Sequence, residues 1–192
     1  MLRRILLLSL LAAASLPALA ATQKYDIDSG HSQVRFTWNH FGFSNPSATL
    51  EQIKGEINLD AADLSKSSVN VTLSLAGLHT GVAKLDEHLK TPEFLDAAKY
   101  PDITFKSTKV EKTSAEALKI SGDLTVHGVT KPVTFDAKIN KIGENPMMKS
   151  QSAGFDADVT IKRSDFGVVK YVPNVSDDIR VHITLDSHLA KS

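Results

Sequence analysis

The sequence predicts an all-β domain, an antiparallel barrel or sandwich with a short helical insert. Three observations carry that prediction. Apolar and polar residues alternate with period two in one segment after another, turn-forming residues separate these segments, and a single stretch breaks the rhythm with helical spacing.

Tyr25 and Ile27 mark a short opening strand. Val34, Phe36, Trp38 and His40 share one face of the next, with Gln33, Arg35, Thr37 and Asn39 opposite. Ile53, Ile57 and Leu59 mark a third strand; Val69, Val71, Leu73 and Leu75 mark a fourth. Val82, Leu85 and Leu89 then fall at i, i+3 and i+7, one stripe of a short helix. Thr91-Pro92-Glu93 reads as the start of a second helix, with an N-cap, a proline at the first helical position and an acid in the first turn. That helix would carry Phe94 and Leu95 and end near Tyr100-Pro101, and the insert as a whole is suited to plug one end of a barrel.

Ile103 and Phe105 resume the alternation. Leu118, Ile120, Leu124 and Val126 follow, interleaved with Lys119, Ser121, Asp123, Thr125 and His127. Gly128 allows the positive φ of a tight reversal, and Pro132 is expected at the first residue of the following strand, where a missing N–H does least harm. Val133, Phe135, Ala137 and Ile139 continue that strand. Ala153, Phe155, Ala157, Val159 and Ile161 form the next, and Ile179, Val181, Ile183 and Leu185 the last.

Residues 1–20 read as a secretory leader. Arg3 and Arg4 form the basic region, Ile5 to Ala14 the apolar stretch, and Ala18-Leu19-Ala20 the cleavage signal. The apolar stretch is too short to span a bilayer well, so no stable membrane insertion is expected. The style is bacterial and places the mature domain, 21–192, in the periplasm. The chain has no cysteine, which removes disulfides and a lipid-modified cysteine together. Lysine plus arginine and aspartate plus glutamate number 22 each. Loss of Arg3 and Arg4 leaves the mature chain near −2, a balance that argues against a nucleic-acid partner.

Seven histidines raise a metal or catalytic reading, but they form no H-E-x-x-H motif or cluster. Gly-x-Ser-x-Gly and glycine-rich phosphate loops are absent. His40 stands apart because its register sets it on the face of Phe36 and Trp38, where a polar ring needs a partner or meets a ligand head group. Arg163-Ser164-Asp165-Phe166-Gly167 reads either as a surface ion pair beside a core phenylalanine or as a barrel mouth. An eight-stranded barrel has an interior that side chains just fill, or that holds one ligand. Periodicity leaves a solid core and an apolar cavity equally open.

Four pieces in order resemble the YceI-like family of periplasmic polyisoprenoid-binding proteins. They are Asp28-x-x-His31-Ser32-x-Val34-x-Phe36-x-x-x-His40-x-Gly42-x-Ser44; a middle set of Thr80, Asp86, His88-Leu89, Phe94, Lys99-Tyr100-Pro101, Phe105 and Ser107-Thr108; Gly122-x-Leu124-Thr125-x-x-Gly128-Val129-Thr130-Lys131-Pro132-Val133; and Arg163 to Gly167. Two positions depart from the pattern. Leu85 stands where members often carry arginine, and Asn145-Pro146-Met147-Met148-Lys149 replaces a Gly/Trp-rich loop.

The resemblance implies an eight-stranded antiparallel lipocalin-like barrel that binds, carries or sequesters an isoprenoid quinone or polyprenyl lipid. It implies no catalytic step and no cofactor, and relatives can form homodimers. With the aromatic faces taken as inward, Phe36, Trp38, Leu73, Leu75, Phe94, Phe105, Leu124, Phe135, Phe155 and Phe166 are the expected lining, with His40 as the polar contact. The rival readings are an enzyme using His40 or His88 on a small periplasmic substrate, and a solid-core interaction module.

Overall fold

Eight antiparallel wall positions close on themselves in the computed structural model, which describes residues 22–191. The leader expected at 1–20 lies outside the described residues. Two wall positions are each built from two segments. β1 (Gln23–Ile27) and β2 (Gln33–Thr37) both pair with β11 (Asp178–Leu189), β1 through Tyr25↔Leu189 and β2 through Phe36↔Val181. β3 (Ser47–Leu50) and β4 (Ile53–Leu59) follow one another down the next position, broken where Gln52 takes a φ of 60°. The ring continues through β5 (Ser68–Ser74), β7 (Asp102–Lys112), β8 (Ala117–Val126), β9 (Val129–Asn145) and β10 (Ser150–Lys162) to β11. A two-residue strand, β6 (Leu78–His79), pairs with β3.

The break between β1 and β2 has a local cause. Asp28 accepts the Gly30 N–H at 2.9 Å through one oxygen, and His31 Nδ1 lies 2.9 Å from the other. A short carboxylate that bonds two residues ahead turns the chain. Buried Ser32 ties the turn to the wall: its hydroxyl donates to the Asp186 carbonyl and accepts the Asp186 N–H.

The hairpin of β8 and β9 is tighter than the sequence predicts. Val126 pairs with Val129, so His127 (φ 51°) and Gly128 (φ 74°) are the whole loop. Two consecutive positive φ values define the type I′ turn, whose twist matches that of the strands. Pro132 therefore sits inside β9, opposite Asp123, rather than at its first residue. Counting pairs from the turn, Asp123↔Pro132 exchanges no N–H bonds, so the proline nitrogen faces away from β8. β10 reaches only as far as Asp136 on that side, and the missing donor costs nothing there.

Gly122 faces Ser107 at a bulge in β7. A Cβ there would run into the Phe105 ring and lie 2.5 Å from the Lys106 carbonyl. The ring and the backbone cannot both move without loss of pairing. Gly122→Ala is expected to lower stability by about 1–3 kcal/mol, or roughly 2–12 °C in Tm for a domain of this size. A thermal melt of the variant checks this.

The helical insert is shorter than expected. α1 spans Ala83–Leu89, but Thr91–Tyr100 forms turns, not a second helix. The Thr91 hydroxyl donates back to the His88 carbonyl at 2.8 Å, closing α1 instead of opening a new helix. Asp96, at φ 46°, then leaves the helical region.

Candidate ligand cavity

The inward faces of the strands do not fill the barrel. They enclose a cavity of about 270 Å³ whose accessible wall is apolar throughout. The interior is therefore not the solid core that one reading of the periodicity allowed. Phe36, Leu73, Phe105, Leu124, Phe135 and Phe155 all border the cavity. Phe105 and Phe135 pack with ring centroids 5.4 Å apart.

One end of the cavity is closed by Leu64, from a 3₁₀ turn over Leu64–Lys66. Leu64 is buried in a cluster with Leu59, Val110 and Leu118. Buried Asp60 accepts the N–H groups of Ala62 and Asp63, and its own N–H donates to Ser67 Oγ, which fixes this connection as a plug. The sequence gives no periodic signal for Leu64, because a 3₁₀ turn is too short to show one.

The opposite end is built by three connections. The β2–β3 loop contributes Trp38, whose ring lies 5.9 Å from that of Phe36. The segment after β6 contributes Leu89, Phe94 and Leu95, and the β10–β11 connection contributes Phe166, Val168 and Val175. Trp38, Phe94 and Phe166 thus border the cavity at this end. The turn segment at Thr91–Tyr100 still delivers Phe94 inward, although it is not helical.

Arg163 organises this end. Its side chain is buried, and its guanidinium donates to four backbone carbonyls of the β10–β11 connection. Nε bonds Ser176, Nη1 bonds Val168, and Nη2 bonds both Lys170 and Val175, at 2.8–2.9 Å. Burial pulls the Arg163 pKa down and the Asp177 charge opposes this. Burial pushes Asp177 up, but the Ser164 N–H and hydroxyl, with Lys162 and Arg163, outweigh that and hold its carboxyl below the usual range. The motif at 163–167 is therefore not a surface ion pair: Arg163 and Phe166 are both buried, and both border the cavity at this end of the barrel. It is an internal clamp on a loop, and Gly167 at φ 79° turns the chain away from it.

Two expected lining residues are corrected. Leu75 is 2% exposed but packs with Leu50, Ile53 and Leu78 off the cavity wall. β5 ends at Ser74, whose hydroxyl accepts the Ala76 N–H and turns Leu75 into a 3₁₀ turn, out of the alternation. His40 lies beyond the rim and is exposed. Strand β2 stops at Thr37, and His40 instead forms isolated bridges with Ser44 and Val175, its ring edge-on to Phe41 at 4.8 Å. His88 is also outside, 3.8 Å from Glu93 and edge-on to Phe94. Among the described residues no group of three or more His, Cys, Asp or Glu is placed to hold a metal ion.

An apolar, plugged eight-stranded barrel is a shape shared by many unrelated proteins, so the comparison of whole chains decides the family. The YceI-like domain model matches residues 25–187. The chain belongs to the YceI-like family. It is 37% identical over 169 residues to Protein YceI of Salmonella arizonae, covering 88% of this chain and 87% of that one. The YCEI protein of Campylobacter jejuni is 31% identical, with a TM-score of 0.73 over 80% of this chain and 90% of its own. A polyisoprenoid binding domain from Saccharophagus degradans shares the fold at a TM-score of 0.68 and 14% identity, covering 86% of this chain and 98% of that domain. Against this YceI-like frame the Asp28–Ser32 motif is the device that bends β1 into β2, and the Arg163 motif is the device that closes the loop over the cavity.

Proposed function

We propose that this YceI-like chain binds an amphiphilic isoprenoid lipid, an isoprenoid quinone or a polyprenyl compound, and carries or sequesters it in the periplasm without chemical change. The observation that supports this most is the wall of the cavity, whose accessible surface is apolar, with the polar atoms of Ser67, Ser68, Asp156 and Arg163 turned away from it. A hydrocarbon tail gains on entering such a space. At about 0.8 kcal/mol per buried CH₂, one five-carbon isoprene unit contributes roughly 4 kcal/mol gross. A few units together exceed the estimated 4–15 kcal/mol lost in translational and rotational freedom. The name of the Saccharophagus degradans domain points to the same ligand class.

The expected signature is dependence on chain length. In a titration with prenyl alcohols of two, three and four units, each added unit tightens binding by an order of magnitude or more until the cavity is full. The reading is overturned if affinity does not change with chain length, or if a small polar substrate is turned over by the purified protein.

A further inference from the structure

Four large apolar side chains are exposed at the Trp38–Phe166 end of the barrel. They are Phe41 (47%), Phe43 (93%), Val169 (60%) and Tyr171 (48%). They sit on two loops that touch: the Phe41 N–H donates to the Asn174 carbonyl at 2.8 Å, and His40 bridges Val175. Exposed apolar patches of this kind mark interaction surfaces.

Charge narrows the partner. Residues 39–46 contain no Asp, Glu, Lys or Arg, and residues 167–176 contain only Lys170. Lys170 is already paired with Glu93 at 2.7 Å. A protein partner read through ion pairs finds nothing here, whereas an interface that accepts rings and branched side chains without charge fits. The surface is also continuous with the cavity. Phe94 lines the cavity and packs against exposed Tyr171 with centroids 6.3 Å apart.

We propose that the loops 39–46 and 167–176 dock this end of the barrel onto a lipid bilayer, with Phe43 and Val169 entering the interface. The inference rests on the lipid-binding reading. A tail that passes from a bilayer along Tyr171 and Phe94 stays in contact with apolar side chains, so its transfer avoids exposing it to water. Binding of this type scales with inserted apolar area. The clamp of Arg163 on the carbonyls of Val168 and Lys170 holds Val169 outward during insertion.

The test is flotation of the intact mature protein with vesicles of phosphatidylcholine and phosphatidylethanolamine, beside a titration with farnesol in vesicle-free buffer. Neither Phe43 nor Val169 lines the cavity. The wild-type protein is expected to float, and to go on floating at about 1 M salt, where charges are screened beyond about 3 Å. Phe43→Ser with Val169→Ser is expected to weaken flotation about tenfold or more with farnesol affinity unchanged. Docking is overturned, with lipid binding left standing, if the wild type binds farnesol but does not float. It is also overturned if salt abolishes flotation, or if the pair of substitutions instead dissolves a dimer that buries these loops. Failure of the wild type to bind farnesol overturns the cavity reading on which the inference rests.

Discussion

Replacing Arg163 by methionine is expected to lower stability by about 3–5 kcal/mol, because a carbonyl left unpaired costs about 1–3 kcal/mol when fully buried and less when part-buried, and several lose their donor at once. For a domain of this size the shift is roughly 6–20 °C in Tm. The effect is large because four carbonyls lose their donor together, those of Val168, Lys170, Val175 and Ser176. A typical hydrogen bond contributes about 1 kcal/mol net, but an acceptor left buried and unpaired carries its full desolvation cost. Methionine keeps the apolar contacts of the side chain, so the loss isolates the guanidinium. Lysine is not a substitute, since one ammonium cannot span a planar fork of four acceptors. Chemical denaturation measures the energy, and hydrogen exchange at 167–176 localises it. A loss below about 1 kcal/mol with unchanged exchange in that loop contradicts the clamp.

The second large effect is on binding and not on folding. Ile183 on β11 lies between Val34 of β2 and Ala157 of β10, and it packs against both apolar clusters of the interior. Its side chain borders the cavity. Overpacking a filled core costs about 1–3 kcal/mol, but here the added ring of Ile183→Trp enters free space beside a small alanine. The variant is expected to melt within a few degrees of the wild type and to bind prenyl alcohols at least about tenfold more weakly. Ile183→Val is the control; it removes one methylene and leaves affinity within a few-fold. If Ile183→Trp keeps full affinity, the tail does not occupy the centre of the barrel.

The strand positions were legible because one face of each strand is apolar and the other wet, and period two survives even where a barrel curves. Phe36, Phe105, Leu124, Phe135 and Phe155 fall on one face of their strands for that reason, and with the aromatic faces taken as inward that face is the one that borders the cavity. What failed lies where the alternation runs past the end of the wall. His40 continues the pattern of Phe36 and Trp38, yet β2 has already stopped at Thr37. Leu75 continues that of Leu73, yet Ser74 has turned the chain.

The turn chemistry was read in the right places with the wrong partners. Thr91 carries the signature of an N-cap, but its hydroxyl satisfies the carbonyl behind it. Arg163 was beyond reach for a different reason. Its partners are main-chain carbonyls 5 to 13 residues ahead, and backbone acceptors leave no trace in side-chain sequence. Leu64, Val168 and Val175 line the cavity from irregular connections, where no period exists to reveal which way a side chain faces.

The most direct test of the central claim is native mass spectrometry of the protein purified gently from its own host, followed by organic extraction of the same sample. The lipid-binding account predicts one prenyl lipid per barrel in the wild type and a markedly lower bound fraction in Ile183→Trp. A wild-type protein that repeatedly flies at its bare polypeptide mass, with no prenyl compound in the extract, contradicts it.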